Sequence, residues 1–417
     1  MRKLKPLVWL GVIILVLSMF IVVACTTQPA QSGSSGGDSN STSKQEVVKP
    51  TPNANGVITA DQWKDIYPDV YSSYQMSKSN STNTPSYLEQ YPFLVTMYDG
   101  SGFAKDYKEA RGHLYTLQDV AETARPHAAA NCLTCKTPEM TAMVNSQGAS
   151  IYSTPFEDIY SKINEPIGCY NCHENTGDTL VVTAGYLNTA LGSDKSKVGE
   201  GTLVCGQCHN EYYFDPETKA ATLPWSGLSN MTADQMLAYY NEKGFKDFTN
   251  GISGADMIKV QHPEFETVLG ANNKMQSMGG FTCSTCHMGT LTNSDGEEYY
   301  SHYWQSPLKN TGLIQNAQCN SCHDLAANVV TIQKTTRARL VTLGEKIADL
   351  HKKIGAAAAD GSKSAEQLAE LRSLVRNGQF YYDFVFVENS DGAHNSALTK
   401  ELLDKSEKIV DQALAML

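Results

Sequence analysis

Residues 131–136 read NCLTCK: Cys132 and Cys135 are separated by two residues and followed by Lys136. The same cysteine pair, followed by histidine, occurs four more times: CYNCH from Cys169, CGQCH from Cys205, CSTCH from Cys283 and CNSCH from Cys319. Of the eleven cysteines, Cys25 stands apart and the other ten fill these five pairs with none over. Disulfides do not require a histidine after each pair, and a zinc site needs two pairs, or one pair with spaced histidines, per metal. Cys-x-x-Cys-His is the attachment signature of c-type haem, whose porphyrin binds both thiols while the adjacent histidine ligates iron. One match is weak evidence; four, with every mature cysteine used, indicate a multihaem chain.

The motif starts are separated by 37, 36, 78 and 36 residues. About 70 residues per motif make a poor core alone, so the porphyrins are expected to form much of the core and to sit close enough to pass electrons. The longer third interval leaves room for something besides wiring. The readable secondary structure is helical, giving a mainly α multihaem cytochrome c fold. Leu340, Leu343, Ile347, Leu350 and Ile354 follow a 3,4,3,4 spacing, a heptad seam. Ser364 with Gln367 reads as a capping box opening a helix with Leu368, Leu371 and Leu374 on its apolar face. Ala397–Leu414 reads as a third helix. No stretch alternates long enough for a substantial sheet. The seam is free to pack on the haem region, and its length also points to pairing with a second subunit.

The chain has 417 residues, a net charge of −11 and 41% hydrophobic residues. That balance argues against a nucleic-acid partner, and an anionic substrate would need a locally positive site. Arg2, Lys3 and Lys5 precede an apolar run from Leu7 to Val23 that ends VVAC at Cys25. Residues 1–25 therefore read as an export signal of lipoprotein type, with Cys25 lipidated; an uncleaved membrane anchor is the alternative. Either tethers the protein to the outer face of the cytoplasmic membrane. Residues 26–56, rich in Ser, Gly, Thr, Asn and Pro, read as a flexible linker. The folded unit is then 57–417, with haem attachment in 91–327 and a helical region in 328–417.

Lys136 binds iron only as the neutral amine, against an ordinary pKa of about 10.4; a ferric ion alongside makes up the difference. The alternative is a motif that lost its haem and left a Cys132–Cys135 disulfide. Of ten histidines, His173, His209, His287 and His323 follow their cysteines; His113, His127, His262, His302, His351 and His394 remain for distal ligation and chemistry. One electronically distinct haem fed by four relays is the layout of a multi-electron reductase.

Together with YPFLVTMYDGSGFAKDY, RGHLYTLQDVAETARP, VCGQCHNEYYF and IKVQHPEFE, the CxxCK motif beside four CxxCH motifs resembles the pentahaem, ammonia-forming cytochrome c nitrite reductases. The resemblance implies five haems c, on Cys132 and Cys135 with Lys136, Cys169 and Cys172 with His173, Cys205 and Cys208 with His209, Cys283 and Cys286 with His287, and Cys319 and Cys322 with His323. It places the catalytic arginine, tyrosine and histidine on Arg125, Tyr212 and His262. Arg125 with a protonated His262 would make the positive pocket for nitrite, and a histidine titrating near neutrality suits proton delivery. It implies calcium held by Glu211 and Gln261 side chains and the carbonyls of Tyr212 and Lys259. Distal ligands fall on His113 for the Cys205 haem, His302 for the Cys169 haem and His394 for the Cys283 haem. A membrane-bound multihaem quinol dehydrogenase as electron donor and a homodimer complete what the likeness implies.

The sequence departs from the family before Cys283, where GANNKMQSMGGFTC holds no distal histidine for the last haem. Met275 and Met278 are the candidates, with Gln276 close by; a recruited His351 or His127, or an open iron, are the alternatives. Activity mainly on hydroxylamine or sulfite, or a pure electron-transfer cytochrome, stay open as rival functions.

Overall fold

The computed structural model describes residues 48–80, 84–273, 280–309 and 324–417. The export segment with Cys25, the candidates Met275 and Met278, and the attachment residues Cys319, Cys322 and His323 lie outside the described residues. Among the described residues no helix is long and apolar enough to cross a membrane.

Three long helices carry the C-terminal region: Leu325–Asp360, Ala365–Phe386 and Ser396–Ala415. Each begins where a side chain satisfies an orphan amide: Asp324 accepts from Ala327 N, Ser364 from Gln367 N and Asn395 from Leu398 N. Gln367 returns the bond to Ser364 N, so the capping box expected there is present. Gly361, at φ 71°, closes the first helix in the left-handed conformation that glycine adopts without penalty.

All five seam residues are buried. Their helix packs within the chain, on the other two long helices and on the short helix Phe93–Met97. Apolar periodicity specifies a buried face, and here that face is covered in cis. The approach is closest at Gly344, where a Cβ would lie 2.3 Å from Phe93 Cε2 and 2.7 Å from the Tyr382 hydroxyl.

The fold is mainly α, as expected, with three two-stranded antiparallel hairpins: Tyr213–Phe214 with Ala221–Thr222, Phe248–Thr249 with Asp256–Met257, and Thr290–Thr292 with Glu298–Tyr300. Side chains supply a substantial core of their own. One apolar cluster joins Leu94–Tyr98, the 182–265 region and the three long helices. A smaller one, with Leu117, Leu133, Met140, Phe156 and Ile159, surrounds the CxxCK segment. Long-range contacts begin at Asn53 and Asn55, whose amides donate to the buried Glu139 carboxylate at 2.9 and 3.0 Å.

Candidate haem and substrate site

CYNCH and CSTCH each form a one-turn helix, Cys169–His173 and Cys283–His287, that ends on the histidine. NCLTCK instead forms a 3-10 turn, Ala130–Leu133, followed by Cys135 at φ 59°. Lys136, longer than histidine, thus leaves the motif from a differently directed backbone. The eight described attachment cysteines, Cys132, Cys135, Cys169, Cys172, Cys205, Cys208, Cys283 and Cys286, are half-buried and none forms a disulfide. Thiols of different motifs are neighbours: Cys135 lies beside Cys208, and Cys205 beside Cys283. The motifs from Cys283, Cys205 and Cys132 therefore lie in that spatial order.

Cys283 and Cys286 stand three residues apart on one turn and so share a helix face, as attachment to one porphyrin requires. The polypeptide encloses this turn less than its counterpart, however. No residue of Cys283–His287 is buried, whereas Tyr170 and Asn171 are buried within Cys169–His173. Ser284 and Thr285, between the two cysteines, are small and polar, and they have no large apolar side chain to anchor the turn as Tyr170 does. Cys286 is thus brought to the same face as Cys283, half-buried like the other described attachment cysteines.

Two imidazoles bound through Nε2 to opposite faces of one metal at about 2 Å have ring centroids about 6 Å apart. The three histidine pairs expected from the sequence have that spacing: His113–His209 at 6.3 Å, His173–His302 at 6.1 Å and His287–His394 at 5.9 Å. The ring nitrogens are poised correctly as well. His173 Nδ1 meets the Thr179 carbonyl at 3.2 Å, His287 the Gln305 carbonyl at 3.0 Å and His302 the Tyr300 carbonyl at 3.0 Å. A carbonyl only accepts, so Nδ1 carries the proton and Nε2 keeps its lone pair for iron. Burial favours the neutral ring too, lowering His113 to about 3 and His287 and His302 to about 4. These residues fit haem.

The other two spare histidines differ from one another. His351 is fully buried between Ser253 Oγ at 2.8 Å and Gln379 Oε1 at 2.9 Å, so both its nitrogens are used. His127 lies edge-on to Phe156 and bonds the Arg125 carbonyl at 3.0 Å.

Arg125, Lys136, Tyr212 and His262 converge. Tyr212 lies close enough to Arg125, Cys132 and Cys135 for their charges to act on its phenol, and His262 close enough to Lys136. Arg125 donates Nε to Thr123 Oγ1 at 3.1 Å and stacks its guanidinium on Phe103 at 4.5 Å, with no carboxylate partner among the described residues. The opposing cation is one the sequence reading missed. Lys259 Nζ, buried, sits 4.9 Å from the Phe103 ring, 5.1 Å from Tyr98 and 5.5 Å from Tyr107. Positive charge therefore comes from Arg125 and Lys259. Burial lowers His262 to about 4 and leaves its Nδ1 without a hydrogen-bond partner, 4.0 Å from Glu264 Oε1. In the protein alone, desolvation of the half-buried His262 ring thus favours its neutral form.

The expected calcium ligands also gather. Glu211, fully buried, accepts from Tyr240 Oη at 2.9 Å and from Gln261 N at 2.7 Å, and Gln261 Nε2 donates to the Lys259 carbonyl at 2.8 Å. Burial raises the Glu211 carboxyl well above its ordinary value, and the Lys259 ammonium bonds the Val260 carbonyl instead of neutralising it. A buried carboxylate beside an amide and a carbonyl suits a hard cation. Among the described residues no cluster of three or more His, Cys, Asp or Glu forms another metal site.

Two further groups escaped the sequence reading. Trp304 lies against His113 at 4.6 Å and His302 at 5.8 Å, between two axial positions. Glu388 accepts from His394 Nδ1 at 2.5 Å; burial opposes protonation, yet this carboxylate raises His394 to about 9. A lone tryptophan or glutamate carries no spacing signal, so only the fold reveals these contacts.

The cytochrome c552 family matches residues 59–417. The chain is 30% identical over 424 residues to cytochrome c nitrite reductase subunit NrfA of Nitratidesulfovibrio vulgaris, an alignment covering 87% of this chain and 80% of that protein. It is 30% identical over 356 residues to cytochrome c-552 of Bacteroides fragilis, covering 79% and 70%. The cytochrome c nitrite reductase catalytic subunit NrfA of Desulfovibrio desulfuricans, described with two calcium sites, superposes with a TM-score of 0.77 at 28% identity, covering 88% of this chain and 87% of that one. The attachment motifs, the paired imidazoles and this extent of likeness place the chain in the cytochrome c552 family.

Proposed function

We propose that this protein reduces nitrite to ammonia, a six-electron reaction, at the haem on Cys132 and Cys135. The observation that carries this reading is the convergence of Arg125, Tyr212 and His262, from separate stretches of the chain, on the lysine-bearing motif. Lys136 would hold that haem by its amine; its side chain has no hydrogen-bond or ion-pair partner among the described residues. When bound, the haem supplies iron to bind nitrite and passes it the electrons.

The chain's own residues do the rest. Arg125, stacked on Phe103, presents an unpaired guanidinium to an anion, and Lys259 adds positive charge from behind the same ring. That offsets the −11 field of the whole chain. Tyr212 offers its phenol as hydrogen-bond donor. His262 is positioned to pass protons, because the arrival of an anion opposes the burial that keeps it neutral. Calcium at Glu211, Gln261 and the carbonyls of Tyr212 and Lys259 would clamp the Tyr212 and His262 segments together; that the Desulfovibrio desulfuricans protein is described with two calcium sites supports this.

The further motifs would make five haems in all and act as relays: Cys169 and Cys172 with His173, Cys205 and Cys208 with His209, Cys283 and Cys286 with His287, and Cys319 and Cys322 with His323. Residues 1–25 as lipoprotein signal, 26–56 as linker, tethering through Cys25, a quinol-linked multihaem donor and a homodimer belong to the same proposal. Met275 and Met278 are proposed as distal candidates for the last haem. His351, with both ring nitrogens bonded, is set aside as an alternative to them.

The test is steady-state turnover with a reduced viologen dye, supplying nitrite, hydroxylamine and sulfite in parallel and assaying ammonium. Nitrite consumed in step with ammonium formed supports the reading. Turnover of sulfite alone, or of no substrate, overturns it.

A further inference from the structure

The loop between the Ala365–Phe386 and Ser396–Ala415 helices holds a carboxylate that neither attachment nor substrate binding uses. Glu388 is 3% exposed. Its Oε1 accepts from His394 Nδ1 at 2.5 Å and its Oε2 from Ser390 Oγ at 2.6 Å, while Ser390 Oγ accepts from His394 N at 3.0 Å. The loop thus locks carboxylate and imidazole to one another. No other axial position among the described residues is built this way. His173, His287 and His302 donate to neutral carbonyls at 3.0–3.2 Å. His209 Nδ1 lies 3.6 Å from Glu264, beyond hydrogen-bonding distance. That Glu264 Oε1 is already taken by Asn389 Nδ2 at 2.5 Å. His113 Nδ1 is buried without a partner.

A carboxylate acceptor makes a charge-assisted bond, about twice as strong as one to a neutral oxygen. It draws the Nδ1 proton toward itself and makes Nε2 a stronger donor to metal. Stronger donation favours the ferric over the ferrous state and lowers the potential of the haem so ligated. We propose that Glu388 is a positioning residue that makes His394 the most strongly donating of the described axial histidines. The haem between His287 and His394 then becomes the most reducing of the described paired-histidine sites. The inference rests on the reading of His394 as a distal ligand. It also has a place in the wiring: Cys283 adjoins Cys205, and Cys208 adjoins Cys135, so this site lies two motifs from Lys136. Its neighbour, with His113 unpartnered and the Glu264 carboxylate held 3.6 Å from His209 Nδ1, lacks a charge-assisted hydrogen bond of this length. The hydrogen bonds therefore order these two sites so that reducing power falls toward the substrate pocket.

The test uses the full-length holoprotein in a spectroelectrochemical titration followed by electron paramagnetic resonance and near-infrared magnetic circular dichroism. Glu388→Gln keeps the size and an acceptor oxygen but removes the charge. One low-spin component is expected to titrate at a more positive potential, with its bis-histidine band intact and the other components unmoved. Glu388→Asp, which retains the charge, is expected to shift it less. His394→Met checks the ligation separately: one bis-histidine band should give way to a methionine charge-transfer band. If His394→Met changes the ligation while Glu388→Gln moves no midpoint, or moves all of them alike, the role of Glu388 is overturned and the ligand assignment stands. If His394→Met leaves the spectrum unchanged, the assignment falls and the inference with it.

Discussion

Replacing Gly344 by alanine tests how the long C-terminal helices pack on one another and on the Phe93–Met97 helix. In an unconstrained helix the change is favourable by about 1 kcal/mol, because glycine forfeits more backbone entropy. Here the added methyl would lie 2.3 Å from Phe93 Cε2 and 2.7 Å from the Tyr382 hydroxyl, where carbon contacts need about 3.5 Å. Neither neighbour is the end of a flexible chain: both are aromatic, one in the adjoining Phe93–Met97 helix and one in the helix Ala365–Phe386. Overpacking of this kind costs about 1–3 kcal/mol, and two stiff neighbours put it in the upper half. The net expectation is a loss of about 1–2 kcal/mol, read as a lower urea midpoint at unchanged slope by far-ultraviolet circular dichroism. In a Phe93→Leu background the ring edge is gone, and the same change should cost at least about 1 kcal/mol less, a coupling expected of touching residues. An equal cost in both backgrounds, or a stabilisation in the first, would refute the packing argument.

Lys136→His should retain the wild-type haem content while nitrite turnover falls roughly 10- to 100-fold, the scale on which ligand-sphere changes act; ammonium production checks it. Asp383 is fully buried, accepts from Tyr98 Oη at 2.8 Å, and burial raises it from 3.8 to about 6. A raised acid contributes stability below its unfolded pKa and loses it as pH rises through the folded value. Stability should therefore decline between about pH 4 and 6 by at most about 1.4 kcal/mol per unit from this group. Asp383→Asn should flatten that part of the profile in urea denaturation series. His351→Asn should lower stability yet leave the low-spin spectrum untouched, whereas loss of a low-spin component would mean that His351 ligates iron.

Much of this was legible in the chain because it is written in spacing. The heptad from Leu340 to Ile354 and the Ser364–Gln367 box became the helices they described, since burial periodicity and capping are local. What covers the seam was not legible: a heptad says that a face is buried, not whether the cover comes from the same chain. Cover was equally illegible at Cys286, whose motif matches that of Cys172 letter for letter at the cysteines and histidine yet lies in a less enclosed turn. The axial pairs were reachable only through likeness, because His113 and His209 are 96 positions apart and no spacing links them. The Lys259 ammonium was harder still. Its carbonyl was read as a calcium ligand, while its charge sits in a box of Tyr98, Phe103 and Tyr107 supplied by a segment some 150 residues away. His262 was read as a histidine titrating near neutrality; the desolvation that lowers it is a property of the fold.

The most direct test of the account is the ferric electron paramagnetic resonance spectrum of the purified protein, titrated with nitrite. The account predicts one high-spin signal per chain, from the iron that Lys136 holds, lost stoichiometrically as nitrite binds. A spectrum with every iron low-spin before any ligand is added would contradict it.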